Sequence, residues 1–85
     1  MIYRFDAEHI SRKIANELVL ELGKSGYSVE YATVDSPFMD QLLMFVTADK
    51  AGAEKIRNRI WELNSGLHCE MREVCIEQLE AYTTD

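Results

Sequence analysis

The side chains best suited to metal or redox chemistry lie near the C-terminus of this 85-residue chain. His68, Cys69 and Cys75 are each able to bind a soft metal ion. Their spacing matches no standard zinc pattern, and residues 68 and 69 would point to opposite faces of a predicted strand. The simpler interpretation makes Cys69 a small core residue. The sequence therefore predicts neither a metal site nor a bound cofactor.

The other residues that could act in catalysis form no recognisable group. Acid–base or nucleophilic catalysis requires a positioned pair or triad of side chains. His9 is isolated, and Asp35, Ser36 and Asp40 fall in a connection between strands, where turn formation explains them better. Gly52 is also isolated, so the sequence contains no glycine-rich phosphate loop. We therefore expect that the chain is not an enzyme.

The elements that would position these residues follow a β-α-β-β-α-β order. Strands are predicted at 2–5, 27–34, 41–47 and 67–76, and amphipathic helices at about 7–22 and 50–64. Asp6 and Asp49 are suited to cap the two helices. Two β-α-β halves predict an α+β fold, the ferredoxin-like plait. In it, a four-stranded antiparallel sheet carries both helices on one face, with the first and third strands in the middle.

A weak internal repeat relates the two halves. Residues 25–34 and 65–74 share Ser, Gly, Glu and Val at matching positions, and Phe5 falls on Phe45 at the same spacing. Two explanations remain open: a duplication, or the general likeness of any helix end that is followed by a strand.

Strand alternation divides the sheet residues into two sets, one of which carries no formal charge. Burying the charged set without partners would cost several kcal/mol, so the uncharged set is predicted to face the helices. That set comprises Tyr3, Phe5, Tyr27, Val29, Tyr31, Leu43, Phe45, Leu67, Cys69 and Met71.

The second set is predicted to form an exposed sheet face with an apolar centre and a polar rim, as protein interfaces have. The centre comprises Ile2, Leu42, Met44 and Val46, and the rim comprises Ser28, Glu30, His68, Glu70 and Arg72. A partner protein or second subunit would cover this face, or residues 76–82 would fold over it as a short helix. If a partner covers it, Met44→Asp should abolish binding while the domain stays folded.

Two more apolar residues would either pack at the margin of the core or serve as contacts for a partner. Trp61 projects away from the apolar stripe of the second helix and is expected to stack with Arg57, one turn earlier. Phe38 lies in the connection between the second and third strands. The full set of predicted interaction residues is Leu42, Met44, Val46, Glu30, Glu70, Arg72, Trp61 and Phe38.

The charge distribution limits the classes of partner. The net charge is −6, and residues 65–85 carry five acidic side chains against one arginine. Phosphate binding requires clustered Lys and Arg, so this balance argues against direct nucleic-acid binding. No apolar run reaches the roughly 20 residues of a membrane helix, and the first residues do not resemble a signal peptide. We expect a cytoplasmic protein without membrane association.

These observations favour one domain over residues 1–76, followed by an acidic tail over 77–85. The leading hypothesis is a small protein-interaction module that binds a protein partner or a second copy through its exposed sheet face. It would act as a regulator, adaptor or inhibitor, and one version is an acidic inhibitor that competes with nucleic acid for a basic protein. The alternatives are a dimeric small-molecule-sensing domain and a small enzyme of the dimeric plait type, with His68 and Glu70 on that face.

Overall fold

The protein folds as a four-stranded antiparallel sheet with two helices, as seen in a computed structural model that describes residues 1–34 and 40–74. Its elements are β1 (Ile2–Glu8), α1 (Arg12–Lys24), β2 (Ser28–Val34), β3 (Gln41–Thr47), α2 (Lys50–Leu63) and β4 (Cys69–Val74). The strand order is β2-β3-β1-β4, so β1 and β3 are central. This is the predicted ferredoxin-like plait. No helix within the described residues has the length and apolar character needed to cross a membrane.

The first helix begins later than the sequence predicts, because β1 continues to residue 8. Ala7 is buried in β1 between its register partners Leu42 and Cys69, which makes it a strand residue. Asp6 lies within the same strand, so its predicted role as a helix cap is wrong. Ser11 is the N-cap instead, and its hydroxyl accepts a hydrogen bond from a backbone amide of the first helical turn.

The second helix agrees closely with the prediction. Asp49 caps it, with Oδ1 accepting a hydrogen bond from the Gly52 amide at 2.7 Å. Tyr27 packs against this first turn, and a Cβ atom at residue 52 would lie only 2.9 Å from the Tyr27 hydroxyl oxygen. A side chain at residue 52 would therefore force the Tyr27 ring or the Asp49 carboxylate to shift.

The hydrophobic core lies between the two helices and one face of the sheet. Its buried members are Tyr3, Phe5, Ala7, Ile10, Ala15, Leu18, Leu22, Leu42, Met44, Val46, Ala53, Ile56 and Ile60. The predicted orientation of β1, β2 and β4 is confirmed, since Phe5, Tyr31 and Met71 lie on the helix-covered face. Leu67 was also predicted to be in the core, but it precedes β4 and is 62% exposed.

The orientation of β3 is the reverse of the prediction. Met44 pairs with Phe5, and directly opposed residues of an antiparallel pair point to the same face. Leu42, Met44 and Val46 therefore face the helices and are at most 1% exposed, so they are not available to a partner. The premise that Met44→Asp lies outside the helix-facing core is wrong. Phe45, predicted to be core, lies on the opposite face.

Several predictions concern residues outside the described ranges. These are the turn at 35–37, Phe38, Cys75, the end of the predicted domain at residue 76, the candidate helix at 76–82 and the tail at 77–85.

Candidate functional site on the open sheet face

The sheet face turned away from the helices, termed the open face, is built from alternate residues of all four strands. They are Ile2, Arg4, Asp6 and Glu8 of β1; Ser28, Glu30, Ala32 and Val34 of β2; Gln41, Leu43, Phe45 and Thr47 of β3; and Glu70, Arg72 and Val74 of β4. Successive side chains of a strand point to opposite faces, so every second residue belongs to the open face. In β1, β2 and β4 apolar and polar residues alternate, whereas β3 is apolar on both sides.

The accessible apolar surface of the open face lies toward one end of the sheet. Phe45 and Val74 are buried although they point away from the helices. Leu43 is half-buried, Ala32 beside it is exposed, and Val34 is 55% exposed. The apolar surface open to contact at this end is therefore formed by residues 32, 34 and 43. Of the predicted apolar centre, only Ile2 lies on this face, half-buried at the opposite end.

Two ion pairs run along the strands of this face. Arg4 Nε lies 3.0 Å from Asp6 Oδ2, and Arg72 pairs with Glu70. The hydrogen bond and the charge of Arg72 lower the pKa of Glu70, so this carboxylate stays ionised in mild acid. Glu8, in contrast, makes no ion pair within residues 1–34 and 40–74. The carboxylates thus differ in how readily they can accept a new cationic partner.

A depression of about 360 Å³ lies at the end of the open face where the apolar surface is accessible. It is lined by Asp6, Ala7, Glu8, Ala32, Val34, Gln41, Leu42, Leu43, His68 and Glu70. Since the strand order is β2-β3-β1-β4, the β2 and β3 side of the depression is mainly apolar and the β1 and β4 side is acidic. No Lys or Arg of the described residues lines it. An apolar group that is joined to a cation matches this two-sided lining.

Asn64 supports the acidic side of the depression from the helical layer. It is the C-cap of α2, is 3% exposed, and its Nδ2 donates to the carbonyl oxygens of Glu8 at 3.1 Å and His68 at 2.6 Å. Both acceptors belong to residues that line the depression. The sequence does not predict this role of Asn64, because a cap that contacts distant strands has no local signature.

The predicted interaction residues fall into three groups. Glu30, Glu70 and Arg72 are exposed on the open face, as expected. Trp61 is 41% exposed on α2, and the predicted stacking is confirmed because the Arg57 guanidinium carbon lies 5.0 Å from its ring centroid. Trp61 nevertheless belongs to the helical layer and is not continuous with the open face. The third group, residues 42, 44 and 46, is in the core.

The candidate metal ligands separate onto different surfaces. Cys69 is partly buried on the helix-covered face, and burial raises the pKa of its thiol to about 11, although Arg57 acts in the opposite direction. His68 lines the depression. Among residues 1–34 and 40–74, no group of three or more His, Cys, Asp or Glu side chains is arranged to hold a metal ion.

Comparison with known proteins adds information on the fold alone. No protein-family model matches the chain, and no curated protein does. Among solved structures, the de novo designed protein Foldit4 is similar, with a TM-score of 0.58 over 87% of this chain and 94% of the designed one. The two sequences are 13% identical. The class defined by the fold is thus the ferredoxin-like plait, an architecture that serves many unrelated functions.

Proposed function

We propose that this chain is a small, acidic, cytoplasmic protein-interaction module that binds a partner through the depression on its open face. The observation that carries the proposal is the two-sided lining, with Ala32, Val34 and Leu43 on one side and Asp6 and Glu8 on the other. A protein segment that presents an apolar side chain beside a Lys or Arg is complementary to both sides.

The two sides would contribute differently to binding. Transferring a Leu-sized side chain from water is worth about 1.5–3 kcal/mol, so contact with Leu43 and its apolar neighbours supplies affinity. Carboxylates at a partly exposed rim contribute less to affinity and more to the association rate and to partner choice. The acidic side therefore favours basic partners.

A basic partner supports the inhibitor version of the proposal. Proteins that handle nucleic acid present clustered Lys and Arg to phosphates, and a module with net charge −6 is attracted to such a surface. In this version the module acts as a regulator by occupying the surface that the nucleic acid would use.

Paired substitutions test the proposal. The immobilised protein should capture a basic partner from native lysate. Leu43→Asp should abolish this capture, and Glu8→Lys should weaken it. Leu20→Asp and Glu54→Lys are matched controls, since Leu20 and Glu54 are exposed on the helices, and both should retain the partner. If all four variants capture the same proteins as the wild type, the depression is not the binding site.

A small-molecule-sensing domain is a second candidate because of the volume of the depression. About 360 Å³ lies at the lower end of the roughly 300–1,000 Å³ that ligand sites occupy. Mass spectrometry of small molecules that co-purify with the wild type, but not with Leu43→Asp, would favour this function over protein binding.

A further inference from the structure

We propose that two copies of this chain associate through the outer edges of their β4 strands, so that their sheets join into one continuous sheet. This contact goes beyond the proposed function, and Glu70 is the one residue of its charge pairs that also lines the depression. It would place the two open faces side by side on the same surface of the dimer, because a two-fold axis perpendicular to the sheet keeps both helical layers on one side.

The first supporting observation is the position of β4 at the edge of the sheet. It pairs with β1 on one side, and no strand of the described residues pairs with its other side. Alternate backbone N–H and C=O groups of an edge strand point outward, where water or another strand must satisfy them. An antiparallel copy of β4 supplies matching groups.

The second observation is the charge pattern of β4, which is self-complementary in one register. With the two-fold axis at Met71, Glu70 of each copy lies opposite Arg72 of the second copy, and all four side chains project from the open face. On the helix-covered face Met71 meets Met71 of the second copy, and Glu73 meets the neutral thiol of Cys69. Two opposite-charge pairs between the copies therefore form in this register, in addition to the Glu70–Arg72 pair within each copy.

Neighbouring registers and the other sheet edge lack this match. Moving the axis to residue 70 or 72 places Glu70 opposite Glu70 or Arg72 opposite Arg72, and like charges directly opposite are destabilising. β2, at the far edge, carries Glu30 as its one charged residue, so no register gives it an opposite-charge pair. Charged edge strands normally deter pairing. In β4 the opposite charges of Glu70 and Arg72 favour pairing in one register and oppose it in the adjacent registers.

The third observation is exposed apolar surface on the segment that leads into β4 and on the helix that contacts β4. Leu67 is 62% exposed two residues before β4, and Trp61 is 41% exposed at the adjoining end of α2. The two are linked locally, since the Gly66 amide donates to the Trp61 carbonyl oxygen at 2.7 Å.

Charge reversal followed by mixing tests the proposal. Sedimentation equilibrium should show a concentration-dependent dimer for the wild type. Glu70→Arg or Arg72→Glu alone should weaken it about tenfold or more, since each variant places like charges opposite one another. An equimolar mixture of the two variants should associate as well as the wild type, because both cross-strand pairs of the mixed dimer then have opposite charges. The double variant Glu70→Arg/Arg72→Glu should also recover.

The control is Glu30→Arg, which changes a charge on the other sheet edge and should leave the dimer constant unchanged. A wild type that stays monomeric at every concentration overturns the proposal, as does a mixture that fails to recover the association lost in the single variants. Glu70 is the only residue changed here that lines the depression. The tests at Leu43 and Glu8 keep the wild-type Glu70, so failure of the dimer would leave those tests intact.

Discussion

Leu43 and Met44 are adjacent in the sequence, yet they lie on opposite faces of the central strand β3. Met44 is fully buried between Phe5 of β1 and Tyr31 of β2, beneath the helices. Leu43 is half-buried between Asp6 and Ala32. Two residues of similar hydrophobicity therefore have different roles, and what distinguishes them is the register of the neighbouring strands.

The charged residues of β1 and β2 also lie on only one face of the sheet. Arg4, Asp6, Glu8 and Glu30 all lie on the open face, whereas the helix-covered face of these strands has no formal charge. One face of the sheet thus builds the core, and the other offers apolar contact together with acidic groups. Changes at adjacent residues should consequently have very different effects.

The largest difference is expected for the same substitution on the two faces of β3. Met44→Asp places an unpaired carboxylate in the core and removes apolar packing, which together cost several kcal/mol. A domain of this size has a free energy of unfolding on the order of 0.05–0.15 kcal/mol per residue, so the variant should not fold. Circular dichroism and thermal denaturation check this outcome.

Leu43→Asp is the matched variant and should remain folded. It loses about 1–2 kcal/mol through reduced packing and like-charge contact with Asp6, its register partner. If both variants unfold to the same extent, the open face is as essential to the fold as the core. If both remain folded, Met44 does not face the helices and the pairing of β3 with β1 is wrong.

The reversal at β3 shows which part of the fold the sequence could predict. Element order and the orientation of β1, β2 and β4 follow from local periodicity, because most charged residues of those strands mark one face. Strand order follows from the rules for joining two β-α-β units. From Leu42 to Val46 every residue of β3 is apolar, so alternation does not reveal its orientation. That orientation is set by pairing with β1, which is a non-local interaction.

The internal repeat likewise predicts the facing of β2 and β4 correctly and that of β3 wrongly. Residues 29 and 31 and their counterparts 69 and 71 all face the helices, as the repeat predicts. Phe5 and Phe45 also correspond in the repeat, but one is in the core and the other on the open face. The depression was missed for the same reason, since its apolar side includes Leu43.

A smaller contrast is expected between Cys69 and Glu70, which are adjacent in β4 and face opposite sides. Burial raises the pKa of Cys69 from its ordinary 9.0 to about 11, so its thiolate population at pH 8 should be about a hundredfold lower than that of a free thiol. Iodoacetamide should therefore alkylate Cys69 slowly until the pH approaches 11. The raised pKa also means that stability from this group is lost as pH rises from about 9 to 11, because the unfolded chain releases the proton first.

Peptide mass spectrometry can follow this reaction specifically. Trypsin cleaves after Arg59 and Arg72, which places Cys69 and Cys75 on different peptides. The matching measurement on Glu70 is its titration by NMR, in which its pKa should lie below the ordinary 4.5 and move upward in Arg72→Ala. Rapid alkylation of Cys69 in the folded protein at pH 8 would show that the helical layer does not protect β4.

A last contrast concerns two asparagines of α2 and its C-cap, of which Asn64 connects the helical layer to the strand residues of the depression. Asn64→Ala should lower the free energy of unfolding by about 1–3 kcal/mol, because the carbonyl oxygens of Glu8 and His68 lose their shared donor in a buried place. Asn64→Asp should cost at least as much, since a carboxylate would face two carbonyl oxygens.

Asn58→Ala, at an exposed site on α2, is the control and should change stability by less than about 0.5 kcal/mol. Urea denaturation gives the energies, and amide shifts at residues 8 and 68 report whether the depression changes shape. Equal stability of the residue 64 and residue 58 variants would mean that the strands hold the acidic side of the depression without help from the helix.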